Sequence, residues 1–259
     1  MKLKSLFISF NLLLSTFLTA QDATNALDVA GRKQGYWVKI DENKKKVYEG
    51  NFVDNLPVGK FTYFSESGTP WAITVFSDYG KVGRTQHFDK NGKITGEGKY
   101  VNQKKDSLWK FYYADGKIVS EEMYKDGVKN GSRKVYFPNG KLAEDRSYLD
   151  GVPDGVCIKY FDNGEVKFKG QYIKDKAEGK ATYYYPTGKV SVEGDYKNDY
   201  KNGPWNYYNE NGTKNKTVVY INGKSKDKNN SEIISHEEEE KAKKLSDEKE
   251  MKEGHSDGN

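Results

Sequence analysis

A glycine ahead of an aromatic cluster returns every 24 residues through most of this chain. It stands at Gly35, Gly59, Gly83, Gly131, Gly155, Gly179 and Gly203, and the one missing member of the series is Ser107. With that residue counted as slot zero, slot 17 reads Phe52, Phe76, Tyr100, Tyr124, Tyr148, Tyr172, Tyr196 and Tyr220. Slot 9 is Lys44 in the first unit and glycine in every later one, from Gly68 to Gly212. Eight units therefore run from Gly35 to about Lys226 without an insertion. A short, constant period means one supersecondary unit repeated, each copy stacked on its neighbours.

Each unit holds two extended stretches split by turn residues, so each is expected to be a β-hairpin. Tyr136 to Lys141 reads YFPNGK, and close relatives of that hexapeptide recur in the other units. Pro138 and Pro186 fall at slot 7, which suits the first central position of a type I turn. Glycine at slot 9 suits the left-handed residue that closes a three-residue hairpin loop. Slot 5 then pairs with slot 11, and alternation along the strand predicts that slots 5, 11 and 17 share the packed face. Slot 15 is glycine at Gly50, Gly98, Gly170 and Gly194, which leaves room for a large ring from a neighbouring strand. Slot 14 carries Glu49, Glu97, Glu121, Asp145 and Glu193, read as a solvated acidic row on the opposite face. The expected fold is all-β, an elongated antiparallel array of about eight hairpins with degenerate terminal units.

Composition agrees. Only 35% of the 259 residues are hydrophobic and 31% are charged, too few apolar groups for one deep core. Aromatics nevertheless reach 14%, with 20 tyrosines, as short strands with a shallow apolar face require. The single cysteine, Cys157, cannot form a disulfide within the chain and shares slot 2 with Ala181, so it reads as a small apolar filler. Net charge is +5, without a dense basic block.

Residues 1–20 read as a cleaved export signal: Lys2 and Lys4, an apolar run from Leu6 to Leu18, and a cut near Ala20. The mature chain is then expected to be periplasmic or extracellular. Residues 21–34 form a linker, 35–226 the array, and 227–259 a charged tail. From Lys224 onward the tail holds 8 lysines against 11 acidic residues, with a frayed helix expected over about Ser231 to Lys252.

The segment Tyr48-Glu49-Gly50-Asn51-Phe52, followed by Gly59-Lys60-Phe61, resembles the MORN repeat. GEGKY at Gly96–Tyr100 and EGDY at Glu193–Tyr196 carry the same pattern. Units such as EEMYKDGVKNG, Glu121–Gly131, resemble the bacterial MORN-variant proteins, often labelled as toxin–antitoxin antitoxins. The resemblance implies a scaffold or binding surface, and it implies no catalysis.

No catalytic, cofactor or metal site is expected. His236 and His255 lie in the polar tail, and His87 reads as a lone surface residue. No histidine has a cysteine or carboxylate at ligand spacing, and the glycines belong to the repeat rather than to a phosphate loop. The candidates for partner binding are the rings of slots 2 and 4, on the face opposite slot 5: Trp37, Phe61, Tyr63, Trp109, Phe111, Tyr183, Trp205 and Tyr207. A single-layer sheet leaves two readings open for them. Either some stand exposed and grip a partner, or curvature and stacking cover them. The expected partner is a protein, with a glycan or an anionic membrane surface as the alternative. No nucleic acid is expected, because an exported chain rarely meets it.

Overall fold

The computed structural model describes residues 24–226. The expected export segment and the tail, with its expected helix, lie outside them. The described residues form one open antiparallel sheet in which strands follow one another in chain order. The linker region is partly built into it: β1 (Ala26–Leu27) pairs with β2 (Lys33–Ile40). Next come β3 (Lys46–Val53), β4 (Leu56–Phe64), β5 (Pro70–Ser77), β6 (Val82–Phe88), β7 (Ile94–Val101) and β8 (Lys104–Tyr112). The middle contains β9 (Ile118–Lys125), β10 (Val128–Tyr136), β11 (Leu142–Leu149), β12 (Val152–Tyr160) and β13 (Val166–Ile173). Beyond it, β14 (Lys176–Ala177) and β15 (Gly179–Tyr184) both pair with β13, as two pieces of one strand line. The sheet ends with β16 (Val190–Lys197), β17 (Tyr200–Tyr208), β18 (Lys214–Ile221) and β19 (Lys224–Ser225).

One long edge of the sheet is made of the three-residue loops that the proline and glycine slots predict. Gly140 N–H donates to the Phe137 carbonyl and Phe137 N–H to the Lys141 carbonyl, with Gly140 at φ 82°. Lys44 takes the same left-handed conformation, φ 62°, without being glycine. Successive loops are laced together. The Lys117 ammonium donates to the Pro138 carbonyl and that of Lys141 to the Asn163 carbonyl, each at 2.8 Å. The other long edge is made mostly of two-residue turns with both residues left-handed, such as Asp54-Asn55 and Asn198-Asp199. That is the type I′ geometry whose twist matches antiparallel strands.

The face assignment differs from expectation, and the reason is a bulge. Slots 5 and 11 do pair, as Tyr136 with Leu142, but the next pair is Val135 with Glu144. One extra residue on the returning strand shifts everything beyond it by one, which exchanges the two faces. Slot 17 therefore lies with slots 2 and 4, and slot 5 lies with the acidic slot 14. The packed face is the one carrying the tryptophans. The acidic row is not simply solvated: the Tyr112 hydroxyl donates to Glu97 at 2.6 Å, Tyr136 to Glu121 at 2.7 Å and Tyr208 to Glu193 at 2.8 Å. Burial and the Glu97 carboxylate push the Tyr112 phenol up to about 12.

Candidate functional site

On the packed face a second irregularity builds each hydrophobic contact. Between β7 and β8 the ladder runs from Glu97↔Lys110 directly to Lys99↔Asp106, so Ser107, Leu108 and Trp109 oppose Gly98 alone. Ser107 sits at φ 60°, a positive φ like that of its glycine counterparts in this slot other than Gly83. The excursion throws the Trp109 ring flat across the bare backbone of Gly98, where an added methyl group would overlap it. Its indole N–H is satisfied by the Lys99 carbonyl at 3.0 Å. Trp205 repeats the arrangement over Gly194, bonded to the Asp195 carbonyl at 3.1 Å, and Phe61 does so over Gly50. The expectation that slot 15 makes room for a ring from the neighbouring strand is met at Gly50, Gly98 and Gly194, whereas over Gly170 the ring is that of Phe168 on the same strand. Where the partners are instead Thr74 and Thr85, the hydroxyls meet at 2.8 Å and β5 pairs β6 without a bulge.

Phe61, Trp109 and Trp205 are consequently buried, Trp109 and Trp205 completely, so these three candidates are core side chains and not exposed grips. Stacking between strands covers them. Trp37 is half-buried, its indole N–H shared between the Ala26 and Gln34 carbonyls. Tyr63, Phe111, Tyr183 and Tyr207 are half-buried, each with one side toward solvent. Tyr183 and Tyr207 share hydroxyl hydrogen bonds with Tyr196 and Tyr220, both at 3.0 Å.

Two further residues, Trp71 and His87, join this surface. Trp71, the extra residue of a bulge, is 44% exposed and packs 5.9 Å from Tyr63. His87 is not a free surface residue. Its ring lies 5.7 Å from Trp71 and 5.9 Å from Trp109, and burial, helped by the Lys105 charge, holds its pKa below the usual range. Burial thus favours its uncharged form, which packs as a flat ring. Tyr63, Trp71, His87 and Phe111 form a ring-lined strip across β4 to β8. No periodic signal in the sequence marks Trp71, because bulge residues fall outside the alternation.

Lysines lie over rings at intervals along the whole face, and only Lys105 borders the strip. Lys33 lies 4.7 Å above Trp37, Lys105 4.5 Å above Trp109 and Lys201 4.7 Å above Trp205. Burial pushes the Lys105 ammonium down, and the ring faces beneath it favour the charge that remains.

In the middle of the sheet the ring-over-glycine contact gives way to charge. Slots 15 and 2 there hold Glu122, Arg133, Arg146 and Cys157. Arg133 bridges Glu122 at 3.2 Å and Glu144 at 3.3 Å, and Arg146 reaches Glu144 at 3.0 Å. Burial raises the Glu122 pKa, but the Tyr124 hydroxyl, Lys129 and Arg133 outweigh it and hold the carboxyl below its usual value. Cys157 is fully buried, and burial pushes its thiol up, so it is a neutral filler as its slot predicts.

Among the described residues no group of three or more His, Cys, Asp or Glu side chains could hold a metal ion, and no helix is long and apolar enough to cross a membrane. No protein of curated function matches the sequence. Among the solved structures that align with part of it are two of one protein. One is a mutant of S. aureus TarM in complex with fondaparinux, alpha-GlcNAc-glycerol and UDP, at 16% identity and a TM-score of 0.29, covering 37% of this chain. The other is TarM at 18% identity and a TM-score of 0.28, covering 34%. The aligned part spans 19% and 18% of those chains, and a likeness this slight assigns nothing. The MORN repeat variant matches residues 81–102, 105–126, 129–150, 153–174 and 177–198, and the MORN repeat matches 48–69. Successive variant matches begin 24 residues apart, the period of the slots, and all matches together cover just over half of the chain. The chain belongs to the MORN-repeat family.

Proposed function

We propose that this protein is an exported, non-catalytic scaffold that holds a protein partner against the ring-lined face of its sheet. The observation that carries the reading is Trp71, a 44% exposed indole set between Tyr63 and His87 on a rigid single-layer sheet. Large exposed rings on a fixed frame are the usual energetic anchors of an interface. An all-β repeat fold fits a binding role. If the partner is an exported toxin, the role is antitoxin-like, as bacterial relatives are often labelled.

Fractionation of cells making the full-length chain tests export, with the shortened protein expected outside the cytoplasm. Cross-linking and pulldown of that fraction test the surface. Trp71→Ala and Phe111→Ala are expected to abolish capture of the partner while the sheet stays folded. Undiminished capture in both variants rejects this face. Capture of cell-envelope polysaccharide or lipid vesicles, and of no protein, moves the reading to the envelope-binding alternative.

A further inference from the structure

The middle of the packed face is short of acceptors. Lys105, Lys129, Arg133, Arg146 and Lys159 converge there on only two carboxylates, Glu122 and Glu144. Lys129 and Lys159 remain 32% and 41% exposed, and the buried Nε of Arg146 has no hydrogen-bond partner among the described residues. Such an excess of positive charge, held partly out of water, favours an anionic cover. The chain carries a matching one. Residues 227–259 hold eleven acidic residues against six lysines, with Glu237, Glu238, Glu239 and Glu240 consecutive.

Reach decides between this segment and a remote one. From β19, where the described chain ends, β12 with Lys159 is six strand spacings away, about 29 Å, and β10 with Lys129 is eight, about 38 Å. Glu237 and Glu240 lie eleven and fourteen residues beyond Lys226, so extended chain delivers them to about 36 and 46 Å. Extended chain is thus long enough to bring the acidic run to the cationic middle. Ser225 and Lys226 already start the chain back along β18, through Tyr220↔Ser225 and a hydrogen bond from Lys226 N–H to the Val219 carbonyl.

We propose that the acidic segment Glu237–Glu240 docks on the packed face at Lys129, Arg133 and Lys159 of the same chain, where it supplies the counter-charge that the middle of the sheet lacks. This inference goes beyond the scaffold reading, and its test involves no partner.

Carbodiimide cross-linking of the purified full chain, as an equal mixture of 15N-labelled and unlabelled protein, reads it directly. Same-isotope links from the Glu237–Glu240 peptide to Lys129 and Lys159 are expected. They should exceed links to the loop lysines Lys93, Lys117 and Lys141 by about five-fold, and fall about ten-fold in 1 M salt, where the Debye length shrinks to about 3 Å. Links spread evenly over exposed lysines overturn the proposal, and mixed-isotope links replace it with contact between two copies. A chain carrying E237Q, E238Q, E239Q and E240Q, changes outside the sheet, supplies a second readout. Amide exchange in β10 to β12 should speed by about three-fold or more, and unchanged exchange overturns the proposal.

Discussion

At Gly98 and Gly194 a tryptophan from the next strand lies flat on bare backbone, whereas at Glu122 and Arg146, the same slot in two of the units between them, a charged side chain stands in that place. Both arrangements hang on one frame of turns and bulges. The flanks gain their stability from area: Trp109 and Trp205 are 0% exposed and edge onto Tyr100 and Tyr196 at 4.9 and 5.0 Å. The middle depends on charge balance, with Arg133 held between two carboxylates. Burial of rings is insensitive to salt and to mild acid. A half-buried ion network is sensitive to both and gains little over apolar packing. A repeat frame therefore fixes geometry while leaving the chemistry of each junction free.

The largest effect should come from removing a flank ring. Trp205→Ala is expected to cost about 4 kcal/mol in urea unfolding, because the cavity over Gly194 cannot collapse. A loss below about 1 kcal/mol would show that the ring is not the core element its burial implies.

Next in size is the middle. Glu122→Gln leaves Lys129 and Arg133 short of a counter-charge and should cost about 2 to 3 kcal/mol at pH 7. Its pH dependence gives the sign. The Glu122 pKa is lowered in the fold from 4.5, so its contribution is complete above that value and disappears as pH falls through the lower folded value. Glu122→Gln should flatten this acid limb, while Trp205→Ala should lower the whole curve without changing its shape.

The comparison is sharpened by converting one region into the other. Glu122→Gly combined with Arg133→Trp rebuilds the flank junction in the middle. Stability should return to within about 1 kcal/mol of the parent, and the loss of stability between 0.1 and 1 M salt should shrink. A double variant that stays as salt-sensitive as the parent would place that sensitivity elsewhere.

The smallest effect lies in a degenerate slot. Lys44 occupies the left-handed loop position that is glycine in later units, at φ 62°. Lys44→Gly should stabilise by about 0.5 to 1 kcal/mol, read as a shift in the unfolding midpoint.

Much of this architecture is legible in the sequence. Pro138 and Gly140 marked the loop type because their backbone preferences are local. Slot 15 marked a close ring approach because only glycine fits beneath one. The face assignment was not legible: a bulge adds a residue without leaving a sequence mark, and one residue exchanges Tyr136 from the packed face to the acidic one. For the same reason Trp71, an extra residue in a bulge, gave no periodic signal.

Sequence alone determined the period, the hairpin, the loop geometry and the antiparallel array, since each follows from local backbone preference repeated at a constant interval. Tertiary structure decided which rings are core and which face solvent, because burial depends on where strands slip past one another. It also decided that Glu122, Arg133, Glu144 and Arg146 meet at all. They are spread over 25 residues of chain and come together only when three strands align.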